Sequence, residues 1–70
     1  MFIKQKFLLN GQEYCTYKQL FLNELLNYFN YYSSIYVVEY NKSICSQKEW
    51  CNIKIQNNDI IEIITIVGGG

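Results

Sequence analysis

Only one stretch of the sequence repeats its apolar residues with the period of an α-helix, and strand-like segments flank it on both sides. The stripe stands at positions i, i+3, i+4 and i+7 and consists of Leu22, Leu25, Leu26 and Phe29. This spacing places the four side chains on one helix face. Thr16 and Gln19 match the N-cap and N3 positions of a capping box. The pattern therefore predicts a helix over residues 17–30 that packs its apolar face against a sheet.

Strand signals fill most of the remaining chain. Asn10–Gly11 is a strong hairpin signal because both residues tolerate the positive φ angles of a type I′ turn, so strands are predicted at 3–9 and 12–15. Ser46 is a candidate N-cap for a short helical turn that ends near Trp50. β-Branched and aromatic residues predict further strands at 35–40, 53–55 and 60–67. The predicted fold is α+β, with element order β-β-α-β-β-β, a mixed sheet and one main helix on a single face.

Length and charge limit the classes of protein to which this chain can belong. Its 70 residues suffice for one small domain, so residues 1–70 are predicted to form a single unit with a flexible tail at Gly68–Gly70. Six basic residues balance six acidic ones, and Arg is absent; we therefore expect no nucleic-acid partner. The apolar runs are far shorter than the roughly 20 residues of a membrane span, and we expect no membrane association, signal peptide or transit peptide.

The residue types that usually carry catalysis or bind metal are scarce. Without His there is no Ser–His or Cys–His pair, and no Gly-rich phosphate loop is visible. We therefore expect no bound cofactor or metal and no catalysis by the chain itself. The acidic residues fall in separate predicted elements and are expected to be solvated surface charges: Glu13, Glu24, Glu39, Glu49, Asp59 and Glu62.

The three cysteines have no CxxC spacing and cannot complete a structural zinc site alone. The favoured interpretation of Cys15, Cys45 and Cys51 is a reduced compartment in which thiols pack as small apolar groups. A reactive or disulfide-bonded cysteine is the alternative.

Three of the four glycines stand together at Gly68–Gly70. The chain has no Ala, Pro or Arg, as expected from an AT-rich genome, and three consecutive glycine codons run against that bias. A glycine tail of three residues reaches about 10 Å and fits a narrow channel because it has no side chains. Its terminal carboxylate, with a pKa of about 3.5, is ionised at neutral pH. A partner enzyme could direct that carboxylate onto the α-phosphate of ATP, after which a sulfur nucleophile could displace AMP.

The last predicted strand carries isoleucines on both faces. If Glu62 points to solvent, alternation places Ile60, Ile64 and Ile66 on the same side, whereas a single helix can cover only the other side. A central strand buried on both faces is the alternative. We predict an exposed apolar patch beside the tail, with Ile64, Ile66 and Val67 as a partner-binding surface.

Taken together, the chain from Phe7 onward resembles the ThiS family of sulfur carriers in thiamine biosynthesis, which have a ubiquitin-like β-grasp fold. The resemblance is carried by the segments 7–11, 24–26, 38–42 and 58–70, the last of which ends in Ile66-Val67-Gly68-Gly69-Gly70. Asn58 stands where the family usually has Gly before the last strand.

The resemblance implies a carrier that other enzymes modify. A ThiF-like adenylyltransferase would consume ATP to adenylate Gly70, which would then become a thiocarboxylate through a sulfur donor such as a cysteine desulfurase relay. A ThiG thiazole synthase would take the sulfur into the thiazole of thiamine. Gly68 and Gly69 would thread through both partner active sites, and Trp50 would anchor the packing.

Three alternatives remain open from the sequence. The chain could be a molybdopterin sulfur carrier, which shares the fold and the tail. It could instead be a ubiquitin-like modifier or a sulfur donor for transfer RNA thiolation. From a different class, it could be a β-grasp interaction module with an inert tail. The AT-rich composition favours a plastid-encoded protein of an algal stroma or a protein of the bacterial cytoplasm.

Overall fold

The computed structural model describes residues 4–31 and 35–65. These residues form five strands, one α-helix and one 3-10 helix. In chain order they are β1 (Gln5–Leu9), β2 (Gln12–Thr16), α1 (Leu22–Tyr28), β3 (Tyr36–Tyr40), β4 (Ser43–Cys45), the 3-10 helix (Gln47–Asn52) and β5 (Asp59–Thr65).

The five strands form one mixed sheet in the order β2-β1-β5-β3-β4. The first and last strands, β1 and β5, pair in parallel, whereas the other neighbours are antiparallel. The strand β5 is therefore central and lies between β1 and β3. This arrangement confirms the predicted α+β fold with a mixed sheet and a single α-helix among the described residues.

The opening hairpin has the predicted turn. Asn10 and Gly11 adopt φ angles of 53° and 79°, and β1 pairs with β2 from Gln5–Thr16 to Leu9–Gln12. Such positive φ values at both central residues match the right-handed twist of the flanking strands. The turn thus fixes the register that puts Phe7 opposite Tyr14.

The core lies between α1 and one face of the sheet. The three leucines of the predicted stripe that belong to α1 are buried, and Phe29 packs against them. Alternation along β1 and β5 adds Phe7, Leu9 and Ile61. The full set of buried apolar residues is Phe7, Leu9, Leu22, Leu25, Leu26, Val38, Trp50, Ile55 and Ile61.

The helix begins later than the sequence pattern predicts. Thr16 belongs to β2 rather than capping the helix, and its hydroxyl forms a local turn with Lys18. The N-cap position is Phe21, whose backbone N–H donates to Glu24 Oε1 at 2.9 Å. The predicted range of 17–30 was therefore wrong by five residues at its start and two at its end.

The fourth strand is also different from the predicted one. Residues 43–45 form β4 beside β3, whereas the segment 53–55 stays outside the sheet. That segment hydrogen-bonds the chain around the start of α1 instead: Leu22 N–H donates to Ile53 O and Ile55 N–H donates to Leu20 O, both at 2.8 Å. The predicted helical turn before Trp50 is confirmed as the 3-10 helix, with Ser46 at its N-cap.

Candidate functional site

The candidate site is built around the C-terminal half of β5, the strand that leads toward the glycines. β1 pairs with β5 only from Asp59 to Ile61, whereas β3 pairs with it from Ile61 to Thr65. The strand therefore extends beyond β1 along a single neighbour. Of the predicted site residues, Ile64 lies on β5, and Ile66, Val67, Gly68, Gly69 and Gly70 lie outside the described residues.

The hairpin turn holds β5 at the point where β1 ends. Asn10 N–H donates to Ile61 O at 2.9 Å, and Asn10 Oδ1 accepts a hydrogen bond from Ile63 N–H at 2.8 Å. The Asn10 side chain thus replaces a ladder bond that β1 no longer supplies. Sequence reasoning identified Asn10 as a turn residue but missed this second role, because a turn signal does not reveal which strand lies beside it.

At its other end, β5 is anchored by a buried carboxylate. Asp59 is only 5% exposed, so the prediction of a solvated surface charge is wrong for this residue. Asp59 Oδ2 accepts hydrogen bonds from Tyr40 O–H at 2.5 Å and from Gln56 N–H at 2.7 Å. Asp59 Oδ1 accepts one from Asn41 Nδ2 at 3.1 Å. Three donors compensate the cost of removing this carboxylate from water.

The same cluster joins the β3–β4 turn to β5. Asn41 Oδ1 accepts a hydrogen bond from Ile60 N–H at 2.8 Å, and Asn41 N–H donates to Ile60 O at 2.7 Å. Asn41 adopts a φ of 51°, which Asn tolerates better than most residues. Burial, followed by the hydrogen bond to Asp59, raises the pKa of Tyr40 far above its usual range, so its hydroxyl remains a donor. Polar side chains therefore hold β5 at its first two residues, through Tyr40 and Asn41, and again at Ile63, through Asn10.

The two faces of β5 differ as the alternation predicts. Ile61 is fully buried under the helix, whereas Ile60 and Ile64 are 36% and 43% exposed. We call the sheet surface opposite α1 the open face. Its side chains come from alternate positions of the strands: Lys6, Leu8, Glu13, Cys15, Val37, Glu39, Ile44, Ile60, Glu62 and Ile64. The exposure of Ile64 agrees with its predicted place in an apolar patch beside the tail.

The cysteines and carboxylates of the described residues were also compared with the grouping that a metal site requires. All three cysteines are free, with Cys15 and Cys51 exposed. The Cys45 thiol is half-buried and lies 3.7 Å from Val38 O; burial and then the charge of Glu49 raise its pKa. Among the residues that the structure describes, no three Cys, Asp or Glu are grouped as metal ligands would be.

Two further structural facts bear on the function classes considered. No helix in residues 4–31 or 35–65 has the length and apolar character that crossing a membrane requires. Asn58, where the resemblance implies a glycine, has a φ of 72°. The substitution is therefore compatible with the turn because Asn tolerates this conformation.

Comparisons with known proteins agree with this architecture. A model of the ThiS family matches residues 7–70. The chain is 58% identical over 64 residues to the protein ycf40 of Trieres chinensis, with 91% of this chain and 88% of that protein covered. It is 36% identical over 62 residues to ycf40 of Porphyra purpurea, with 89% and 87% covered. The name ycf40 is a gene name of algal plastid genomes.

A solved structure shows the same fold. The crystal structure of the thiamine biosynthesis protein (ThiS) from Geobacter metallireducens matches 94% of this chain and 100% of its own, with a TM-score of 0.80 and 20% sequence identity. This match confirms the ubiquitin-like β-grasp fold. With the family match through Gly70 and close relatives along nearly the whole chain, the chain belongs to the ThiS family.

Proposed function

We propose that this chain is a sulfur carrier for the formation of the thiazole ring of thiamine, with the carboxylate of Gly70 as the site that carries sulfur. The chain acts as a co-substrate of partner enzymes and not as a catalyst. The observation that carries the proposal is the family match, because it runs from Phe7 through Gly70 and so includes the three glycines.

The proposed chemistry takes place at the terminal carboxyl group of Gly70. A carboxylate oxygen of Gly70 attacks the α-phosphate of ATP, pyrophosphate leaves, and an acyl adenylate forms. The terminal sulfur of a persulfide then attacks the acyl carbon, AMP leaves, and an acyl disulfide forms. A thiol cleaves its S–S bond, which leaves the thiocarboxylate on Gly70 and a disulfide on the donor. A ThiF-like adenylyltransferase binds and consumes the ATP, and a cysteine desulfurase relay is the proposed source of sulfur. The chain itself holds no cofactor in this scheme.

The described structure supports a chain that partner enzymes modify and that does not catalyse the reaction itself. Side chains that could activate a nucleophile are not grouped among the described residues: Asp59 is engaged by three hydrogen-bond donors, and Glu24 and Glu49 accept bonds from helix-capping N–H groups. The strand β5, by contrast, is held by polar side chains at Asp59, Ile60 and Ile63, and the glycines follow it in the sequence. Gly68 and Gly69 lack side chains, which suits passage through the narrow entrance of a partner active site.

We further propose that the protein is plastid-encoded and works in the stroma, with a ThiG thiazole synthase as the acceptor of sulfur. The ycf40 name of its relatives and the AT-rich composition support this location.

The direct test is the intact mass of the chain after incubation with ATP, a ThiF-like adenylyltransferase and a sulfur source. We expect the mass increase that corresponds to replacing one carboxylate oxygen by sulfur. Deleting Gly70 should abolish the increase, because the new terminus would end one residue short of the reacting phosphate. Gly70→Ala keeps the carboxylate but adds a methyl group, and should slow the conversion without removing it.

A second measurement identifies the pathway. The converted chain is mixed with a thiazole synthase, and the loss of its terminal sulfur is followed by mass. Complementation of thiamine and molybdenum-cofactor auxotrophs provides the comparison in cells. An unchanged mass under conditions in which another ThiS protein is converted would contradict the carrier proposal, and rescue of only the molybdenum-cofactor auxotroph would contradict the pathway.

A further inference from the structure

The strand β2 is an edge of the sheet with an unused hydrogen-bonding side. It pairs with β1 in an unbroken register that runs from Gln5–Thr16 to Leu9–Gln12. Within residues 4–31 and 35–65, no backbone hydrogen bond joins β2 to any strand other than β1. Sheet edges in proteins are commonly blocked by Lys, Pro or a bulge, and β2 has none of these. The edge is therefore open to a further strand.

The backbone groups on this edge come from two residues. Asn10 N–H donates to Ile61 O at 2.9 Å. Lys6 O accepts a hydrogen bond from Asn58 N–H at 2.6 Å. Even-numbered residues of β1 and its turn thus face β5, and by alternation the odd-numbered residues of β1 face β2. The register sets these odd-numbered residues opposite the even-numbered residues of β2. The residues of β2 that point their N–H and C=O groups away from the sheet are therefore Glu13 and Cys15.

An apolar groove runs beside this edge on the helix face of the sheet. Tyr14 points to that face, where its ring stacks on Phe7 with the centroids 6.0 Å apart and meets Phe29 edge-on at 5.2 Å. The groove has a volume of about 500 Å³, and Tyr28, which lines it, is 80% exposed. A strand that pairs with β2 places its alternate side chains over this groove. Such a strand removes apolar surface from water as well as satisfying the backbone groups of the edge.

We propose that the occupant of this edge is a second copy of the chain, paired through β2 about a two-fold axis at Tyr14. In this antiparallel pairing, Glu13 lies opposite Cys15 of the partner subunit, and Cys15 lies opposite Glu13 of the partner subunit. Four hydrogen bonds then satisfy the outward N–H and C=O groups of both copies. Tyr14 comes to lie opposite Tyr14 of the partner subunit, beside the groove, and aromatic cross-strand pairs stabilise a sheet.

Charge favours both this register and this occupant. A two-fold axis at Glu13 would set two carboxylates directly opposite each other, which destabilises a sheet. An axis at Cys15 would set Glu13 against Tyr17 of the partner subunit, and Tyr17 lies beyond the end of β2. The axis at Tyr14 avoids both faults. The chain also has no net charge, and a net charge near zero promotes association between copies. The proposal does not depend on the proposed function, because β1 separates β2 from β5.

The first test is the association state of the wild-type chain, measured by sedimentation equilibrium. We expect a reversible monomer–dimer equilibrium with a dissociation constant below about 1 mM. Cys15→Pro removes one outward N–H, at the kind of edge position where proline is tolerated. Because the two-fold axis repeats the loss, two of the four bonds between the copies disappear, and the dissociation constant should rise at least about tenfold. Ile44→Pro makes the same change on β4, the opposite edge of the sheet, and should dimerise like the wild type.

A disulfide trap checks the register. Glu13→Cys sets a thiol opposite Cys15 of the partner subunit, with the Cα atoms about 5.5 Å apart, which a disulfide can span. Gln12→Cys is the control, since Gln12 is also exposed and lies next to Glu13 but points to the other face of the sheet. Under oxidised glutathione, Glu13→Cys should form a covalent dimer at least about fivefold faster than Gln12→Cys. Peptide mass mapping should locate the new bond between positions 13 and 15.

Several results would overturn the proposal. A wild-type chain that stays monomeric at about 1 mM would do so and would leave the edge to a strand of a different protein. Unchanged dimerisation of a folded Cys15→Pro variant, or loss of the dimer in a folded Ile44→Pro variant, would contradict the assignment to β2. If Cys15→Pro does not fold, the trap decides alone, and equal rates of linking in the two cysteine variants would reject the register.

Discussion

At the scale of single residues, Asp59 shows that a residue next to a short turn can be held by side chains from distant parts of the chain. A buried carboxylate is tolerated because Tyr40, Asn41 and the Gln56 N–H donate to it. The sequence has an Asn just before β5, and Asn58 adopts the left-handed conformation that this residue type tolerates. It does not reveal that Asp59 is buried, because two of the three donors lie 18 and 19 residues away and no local pattern links them.

The Tyr40–Asp59 bond leads to a prediction about alkaline pH. The pKa of Tyr40 is raised in the folded protein by burial and by Asp59, whereas an unfolded tyrosine ionises near pH 10. The stabilisation from this raised pKa is complete below about pH 10 and is lost as pH increases above it. Tyr40→Phe should therefore lose less stability than the wild type between about pH 9 and pH 11.

Urea unfolding at several pH values checks this expectation. Near neutral pH, Tyr40→Phe should cost about 1.5 kcal/mol, because it removes a hydrogen bond to a charged group. Tyr17→Phe is the control, since Tyr17 is 58% exposed. This variant should lose as much stability at alkaline pH as the wild type does. A steep alkaline loss that persists in Tyr40→Phe would show that another group controls it.

At the scale of the elements, local sequence patterns do not predict where the helix begins or which segment forms the fourth strand. The apolar stripe identifies α1 and its buried face, but residues 17–21 also resemble a first helical turn. They are not helical because the backbone of Leu20 and Leu22 bonds the segment 53–55, which comes more than thirty residues later. The same contact explains why 53–55 is not a sheet strand. Non-local backbone pairing overrode both local preferences.

The Asn10 side chain offers an element-scale prediction about β5. Asn10→Gly keeps the positive φ of the turn but removes the acceptor for Ile63 N–H, whereas Asn10→Asp keeps an acceptor at the same place. We expect Asn10→Gly to lower the free energy of unfolding by about 1 kcal/mol and to speed amide exchange at Ile63. Exchange at Val38, on the neighbouring strand, should change only with global stability. Equal exchange at Ile63 in the Gly and Asp variants would rule out the proposed role of the side chain.

At the scale of the whole molecule, the parallel pairing of β1 with β5 joins the two ends of the described chain. Hydrophobic alternation predicts which face of β5 is buried, as Ile61 and Ile64 show. It cannot predict that β5 enters between β1 and β3, because alternation specifies faces and not neighbours. The central placement of β5 means that the core closes only when the last strand is in place. Residues up to Thr65 thus belong to the fold. Within residues 4–31 and 35–65, the last fully buried core residue is Ile61, and Ile63 packs against the core.

This boundary separates the residues needed for folding from those proposed to carry sulfur, and a pair of variants tests it. Removing Gly68–Gly70 should change the free energy of unfolding by no more than about 0.5 kcal/mol, because glycines have no side chain to bury. It should nevertheless abolish the conversion by the adenylyltransferase completely.

Ile61→Ala should do the opposite. It should cost about 2–5 kcal/mol of stability by opening a cavity at a fully buried position, yet the fraction that stays folded should still be converted. Urea unfolding measures the stability of each variant, and intact mass measures its conversion in the same samples. A large loss of stability on removing the glycines would mean that the tail packs against the fold, and its role as a free substrate for a partner would have to be abandoned.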